Sequence, residues 1–176
     1  ADVLVGAVNP SGRLPITFPI AEGQLPLRYN HEPTGRGDDY VDQTGEPAFP
    51  FGFGLSYTRF EYSDLRIEPA TIASSGSARV TFRVRNTGAR AGDEVAQLYV
   101  RPVVSRVAQP VMALKAISRV HLAPGEERML TLALDARALQ IVDEHMHALV
   151  PAGTTTILVG ASSRDIRLRG RLLVRQ

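Results

Sequence analysis

From about Phe60 to the end of the chain, apolar side chains fall on alternate positions, and this period of two restricts the fold more than any other feature. Successive side chains of a strand point to opposite faces, so alternation means one face buried and one wet. Val80, Phe82 and Val84 alternate with Thr81, Arg83 and Arg85, and Ala96, Leu98 and Val100 with Gln97 and Tyr99. Leu130, Leu132 and Leu134 alternate with Met129, Thr131 and Ala133. Ile166, Leu168, Leu172 and Val174 alternate with Arg167, Arg169, Arg171 and Arg175. Residues 62–67, 117–122 and 154–159 read as further strands. Between them lie the turn sequences Asn86-Thr87-Gly88, Pro124-Gly125-Glu126 and Pro151-Ala152-Gly153, rich in the residues that turns require. Asp135, ahead of Ala136-Arg137-Ala138-Leu139, is placed to cap one helical turn.

About seven short strands in some 115 residues predict a mainly β fold, an immunoglobulin-like or fibronectin type III-like sandwich. The first 60 residues are different. They hold 7 of the 12 prolines and 8 of the 15 glycines, which keeps regular structure there short. Residues 1–5 read as a last helical turn that Gly6 stops. Asn9-Pro10-Ser11-Gly12 reads as a turn, and Leu14-Pro15-Ile16-Thr17-Phe18 as one strand closed by Pro19. Residues 21–51 carry no sustained period. A lone strand followed by thirty or so irregular residues cannot bury a core of its own. The expected division is therefore a domain tail at 1–20, an irregular linker at 21–58 and a sandwich at 59–176.

Composition removes several function classes. No cysteine is present, which excludes disulfides and thiolate metal sites. The net charge of +2 gives no support to a nucleic-acid or anionic-membrane partner. No apolar run approaches the length of a membrane-spanning helix. The chain opens Ala1-Asp2-Val3 without an initiator Met, and the expectation is that something upstream was removed or never included.

Chemistry is sparse. Acid–base or nucleophilic catalysis by carboxylates needs a pair of such groups held close together in environments that push their pKa values apart. Only the linker gathers acids, at Glu32, Asp38, Asp39 and Asp42, among Gly, Thr and Arg; they read as solvated or hydrogen-bonded loop residues. In Asp143-Glu144-His145-Met146-His147 the two histidines would share a face on a strand. A third ligand is not evident, so no metal site is assigned. His121 reads as structural. Arg167, Arg169 and Arg171, beside Arg83 and Arg85, read as a solvated sheet face. No phosphate loop and no Ser or Cys nucleophile signature occurs, and no cofactor is implied.

Recognition goes further. Asn9-Pro10-Ser11-Gly12-Arg13-Leu14-Pro15-Ile16-Thr17-Phe18-Pro19 resembles the strand that closes the α/β-sandwich domain of family 3 glycoside hydrolases. Phe49-Pro50-Phe51-Gly52-Phe53-Gly54-Leu55-Ser56-Tyr57-Thr58 resembles the entry of that family's linker into its fibronectin type III-like domain. Arg85-Asn86-Thr87-Gly88 and Gly92-Asp93-Glu94-Val95-Ala96-Gln97-Leu98-Tyr99-Val100 resemble two successive strands of that domain, and Leu122-Ala123-Pro124-Gly125-Glu126 a later turn. Tyr29-Asn30-His31 with Thr34-Gly35-Arg36 is most similar to the periplasmic β-glucosidase branch, although xylosidases and glucanases share much of the pattern. Phe49 and Phe53 stand where the family often has Tyr.

The resemblance implies an accessory, C-terminal part of a retaining β-glucosidase-type hydrolase, periplasmic or secreted. Its nucleophile Asp would lie on a (β/α)₈ barrel and its acid/base Glu in the α/β-sandwich domain. No position here matches either motif, so no catalytic residue is carried over and the 176-residue chain is expected to be inactive. The implied partners are the barrel and α/β-sandwich domains, a β-glucoside reached only through them, and a second copy of the enzyme if it oligomerises. Arg36 and Asp38 are the candidates for polar contacts near the sugar. Phe18, Phe49, Phe51 and Phe53 are expected to need a packing surface on those absent domains. The rival is a free-standing carbohydrate-binding or adhesion sandwich. Against it, such modules offer exposed aromatic platforms, and this chain has no Trp and 5 Tyr.

Overall fold

The computed structural model describes residues 1–34, 38–102 and 107–175. Among these residues ten strands form: β1 (Phe60–Glu68), β2 (Thr71–Ala73), β3 (Ser77–Asn86), β4 (Gly92–Pro102), β5 (Ala113–Leu122), β6 (Glu127–Asp135), β7 (Ile141–Val142), β8 (Ala148–Leu149), β9 (Gly153–Gly160) and β10 (Ile166–Arg175). One sheet has the order β1-β3-β6 and the other β2-β10-β9-β4-β5, with β7 and β8 a separate small pair. Pairing is antiparallel throughout, apart from β2 beside β10.

The alternation explains the two layers. Val80 lies opposite Leu132 and Phe82 opposite Leu130, so the apolar parity of β3 and β6 shares one face. That face meets Leu98, Val100, Ile157, Val159, Leu172 and Val174 of the other sheet in one buried cluster. Each fully buried Leu, Val or Phe contributes about 1.5–3 kcal/mol. Thr81 and Thr131 pair on the outer face, and Met129 is exposed. Asp135 accepts from the Arg137 amide at 2.8 Å and starts a single 3-10 turn at Ala136–Leu139.

Three expectations are corrected. β4 and β9 are not half-wet: Gln97, Tyr99 and Leu158 are buried as well as Leu98, Ile157 and Val159. The reason is the linker, which covers the outer face of the sheet over β4 and β9. Tyr29 stacks on Phe51 at 4.2 Å and meets Tyr99 edge-on at 5.9 Å, and with Met112 and Leu158 these rings form a second small core.

Residues 14–18 are not a strand. Pro15 and Pro19 supply no amide donors, and what remains is a bridge between Phe18 and Phe49 plus Leu14 bonded to Phe53 O and from Gly52 N, each at 2.8 Å. The packing surface for the linker aromatics is also partly inside this chain, since Phe51 is covered by Tyr29, whereas Phe18 and Phe49 stay 41% and 46% exposed. The first residues do make one helical turn, with Ala7 N bonded to Asp2 O and Gly6 at φ +75. Among the described residues no helix is long and apolar enough to cross a membrane.

Candidate functional site

Two polar regions arise where residues 1–58 meet the sandwich. The first is a seam. Asn9 donates to Ala91 O at 3.2 Å and accepts from Tyr57 N at 2.8 Å, and Arg90 donates to Gly6 O at 2.8 Å. Asn86, fully buried, accepts from the Thr58 hydroxyl at 2.6 Å and donates to Arg90 O and Leu122 O. Gln97 donates to Ala161 O at 2.6 Å and Gly52 O at 3.2 Å while accepting from the Tyr99 hydroxyl at 2.5 Å. Gly52 sits at φ +80, and a Cβ there would strike the Gln97 amide. Only glycine meets both demands.

Beside this seam is a cavity of about 450 Å³ lined in part by Arg13, Ser56, Glu94, Ser162, Asp165 and Arg167. Arg13 Nη2 lies 3.0 Å from Glu94 Oε2, with side-chain exposures of 12% and 2%. The other Glu94 oxygen accepts from the Tyr62 hydroxyl at 2.9 Å. Burial, reinforced by the Glu94 charge, pushes the Tyr62 phenol well above its ordinary range, so Tyr62 stays the donor. Arg167 lies over the Tyr62 ring at 4.8 Å and donates to Phe60 O at 2.6 Å.

The second region is a groove of about 390 Å³ in the linker, lined by Arg28, His31, Glu32, Asp38, Asp39, Tyr40, Arg101 and Arg164 among others. Gln24, a buried lining residue, ties the loop together by accepting from Ile20 N at 2.6 Å and donating to Thr44 O and Glu46 O. Asp39 closes the loop by accepting from Gly45 N at 2.9 Å and from the Thr44 hydroxyl. Asp38 accepts from the Thr34 hydroxyl at 3.2 Å and lies 3.6 Å from His31 Nε2. Arg164 pairs with Glu46 at 3.0 Å.

Of the residues singled out from sequence, Glu32, Asp38 and Asp39 share this groove, Asp42 is not among its lining, and Arg36 lies outside the described residues. The four acids are exposed to water. His145 and His147 fall in the loop between β7 and β8, where both backbone amides donate to Asp143 Oδ1. Among the described residues no group of three metal-ligating side chains is gathered. The arginine stripe is broken up: Arg83 pairs with Asp64 and Glu127, and Arg167 turns to Asp165 and Tyr62. His121 contacts Asp93 at 2.5 Å, and Arg119 bonds both Asp93 and Ser11. Sequence reasoning passed over Arg13, Glu94 and Gln97. For Glu94 a signal existed, because it shares parity with Ala96, Leu98 and Val100 and a charge on the apolar parity marks a buried partner.

Two family descriptions match the chain: Glycosyl hydrolase family 3 C-terminal domain over residues 1–57, and Fibronectin type III-like domain over residues 94–163. The chain belongs to glycoside hydrolase family 3. The thermostable β-glucosidase B of Acetivibrio thermocellus is 43% identical over 96% of this chain and 24% of its own length. The periplasmic β-glucosidase of Salmonella typhimurium is 36% identical over 95% of this chain and 23% of its length. The solved β-glucosidase EmGH1 of Erythrobacter marinus superposes with a TM-score of 0.93 at 38% identity, covering 99% of this chain and 23% of that one. The chain thus spans about a quarter of the length of the curated relatives it matches, and what it carries is the family 3 C-terminal region. The seam is built from the segments that resemble this family: residues 9–19, 49–58, 85–88 and 92–100 supply Asn9, Arg13, Gly52, Thr58, Asn86, Glu94 and Gln97.

Proposed function

We propose that this chain is the accessory, structural C-terminal part of a retaining glycoside hydrolase acting on β-linked glucosides, in the periplasm or secreted. Its sandwich, residues 59–176, buttresses the catalytic domains; residues 1–20 complete an α/β-sandwich domain; and the linker, 21–58, presents Arg36 and Asp38 near the sugar. The observation that carries this reading is the distribution of exposed apolar side chains. Of the 18 large ones among the described residues, 13 lie in residues 1–58, including Leu4, Val5, Ile16, Phe18, Phe49 and Leu55. Such a concentration marks a face that packs on another protein surface. In this reading the surface is the rest of the same enzyme.

Reassembly tests it. The chain is mixed with the N-terminal three quarters of a family 3 β-glucosidase, and binding, amide protection at residues 1–20 and aryl β-glucoside turnover are followed, with aryl β-xyloside as the competing substrate. A stable complex with new protection at Ile16 supports the reading. A chain that stays monomeric and unprotected overturns it. In the reassembled enzyme Asp38→Ala and Arg36→Ala should each raise KM several-fold; an unchanged KM removes that residue from the sugar's surroundings.

A further inference from the structure

The seam contains an ion pair whose burial the fold's stability alone does not require. Arg13 comes from the first 20 residues and Glu94 from β4, 81 positions along the chain, and both are almost wholly withdrawn from water. Desolvating two charges offsets most or all of their attraction, and apolar residues of similar volume often stabilise such a site at least as well. Arg13 Nε even lacks a partner. What a buried pair supplies is discrimination between arrangements, because any arrangement that parts the charges leaves one uncompensated in the interior.

We propose that Arg13 and Glu94 are a positioning pair, an orientation lock that holds residues 1–20 on the sandwich in one register. This rests on the reading of the chain as an accessory part whose two ends must be held as one rigid body.

Three observations support the lock. The acceptor is held by contacts independent of Arg13: Glu94, on β4, is gripped by Tyr62 of β1, whose ring stacks on Phe82 of β3 at 5.9 Å and lies beneath Arg167 of β10. Space is kept for the arginine, since a Cβ at Gly54 would strike both its guanidinium and Gly12 O. The neighbouring seam bonds are different in kind. Arg90 to Gly6 O ends on a carbonyl, which recurs at every residue and tolerates a slip, while Asn9 to Ala91 O and Arg119 to Ser11 use side chains of residues 1–20 in exposed contacts that water can replace. A one-residue slip of the segment places Gly12 or Leu14 opposite Glu94 and strands the carboxylate.

Hydrogen exchange on the 176-residue chain tests the lock without reference to catalysis, so its failure is distinguishable from failure of reassembly. The probes are the Leu14, Phe18 and Gly52 amides, which tie residues 14–18 to residues 49–53 beside the seam, and the Val80, Phe82 and Leu132 amides of β3 and β6. Glu94→Gln should speed exchange at the seam by at least about tenfold while β3 and β6 stay within about twofold, the pattern of a local opening. Arg13→Lys, which keeps the charge, should retain protection that Arg13→Gln loses. The apolar pair R13M/E94L should match or exceed wild type in urea and still show two exchanging populations at the seam. Unchanged protection at Leu14 and Gly52 in Glu94→Gln overturns the proposal. So does uniform acceleration through β3 and β6, which would make the pair an ordinary core contact. If Glu94→Gln does not fold, Tyr62→Phe loosens the same carboxylate without stranding a charge, and the seam-only pattern must appear there.

Discussion

Replacing Gln97 with Leu isolates the polar side of the seam. The side chain is 2% exposed and satisfies three groups: the carbonyls of Ala161 and Gly52, and the hydroxyl of Tyr99. Burial pushes the Tyr99 phenol above its ordinary range, so it keeps its proton and needs an acceptor. Leucine fills much of the same volume and serves none of the three. Each group left unpaired in a dry interior costs about 1–3 kcal/mol, partly offset by the apolar atoms gained, for a net loss of about 3 kcal/mol. With a urea slope of roughly 2 kcal/mol per molar, the unfolding midpoint should fall by about 1.5 M. Tyr99→Phe should cost about 1 kcal/mol, because it removes a single donor and leaves Gln97 bonded to both carbonyls. A loss below about 1 kcal/mol for Gln97→Leu would refute the reasoning, and equal losses for the two variants would show that the carbonyl contacts carry nothing.

Two further outcomes follow from the sheets and from charge. Leu132→Ala should cost about 2–5 kcal/mol, and Thr131→Ala on the opposite face no more than about 0.5 kcal/mol; equal effects in urea would put the register off by one. Asp93 titrates below the ordinary carboxylate range, held there first by its hydrogen bond from His121 and then by Arg119. A lowered folded-state pKa means this contribution is present above the unfolded carboxylate's pKa and is lost as pH falls through the folded one. Wild type should therefore lose its advantage over Asp93→Asn on acidification below the ordinary carboxylate range, and parallel acid limbs would contradict this.

The long strands were legible because each places four or more side chains on one parity, and a buried face imprints that parity on the sequence. β2 was not, since its three residues hold a single buried side chain, Ile72, and one residue has no period. β7 and β8, two residues each, fail for the same reason. The double burial of β4 was hidden because the element covering its outer face, the Tyr29 and Phe51 pair, lies some 50 to 70 residues upstream and no local pattern reports it. The apolar look of residues 14–18 misled because Pro15 and Pro19 cannot join a ladder. In the candidate site, Asp38 was legible as a linker acid and its partners were not: His31 and Thr34 reach it only through the way the linker folds back. Gln97 carried no signal, as a polar residue on the outward parity looks the same whether water or a carbonyl meets it.

That this chain carries accessory structure and no complete catalytic site is tested by turnover in the pure 176-residue chain. Aryl β-glucoside should be hydrolysed no faster than in buffer, because the chain's clustered linker acids are exposed and Asp38 and Asp39 are engaged in loop contacts. Turnover above that background, lost in Asp38→Asn or Glu32→Gln, would contradict the account and place a working carboxylate pair in the linker.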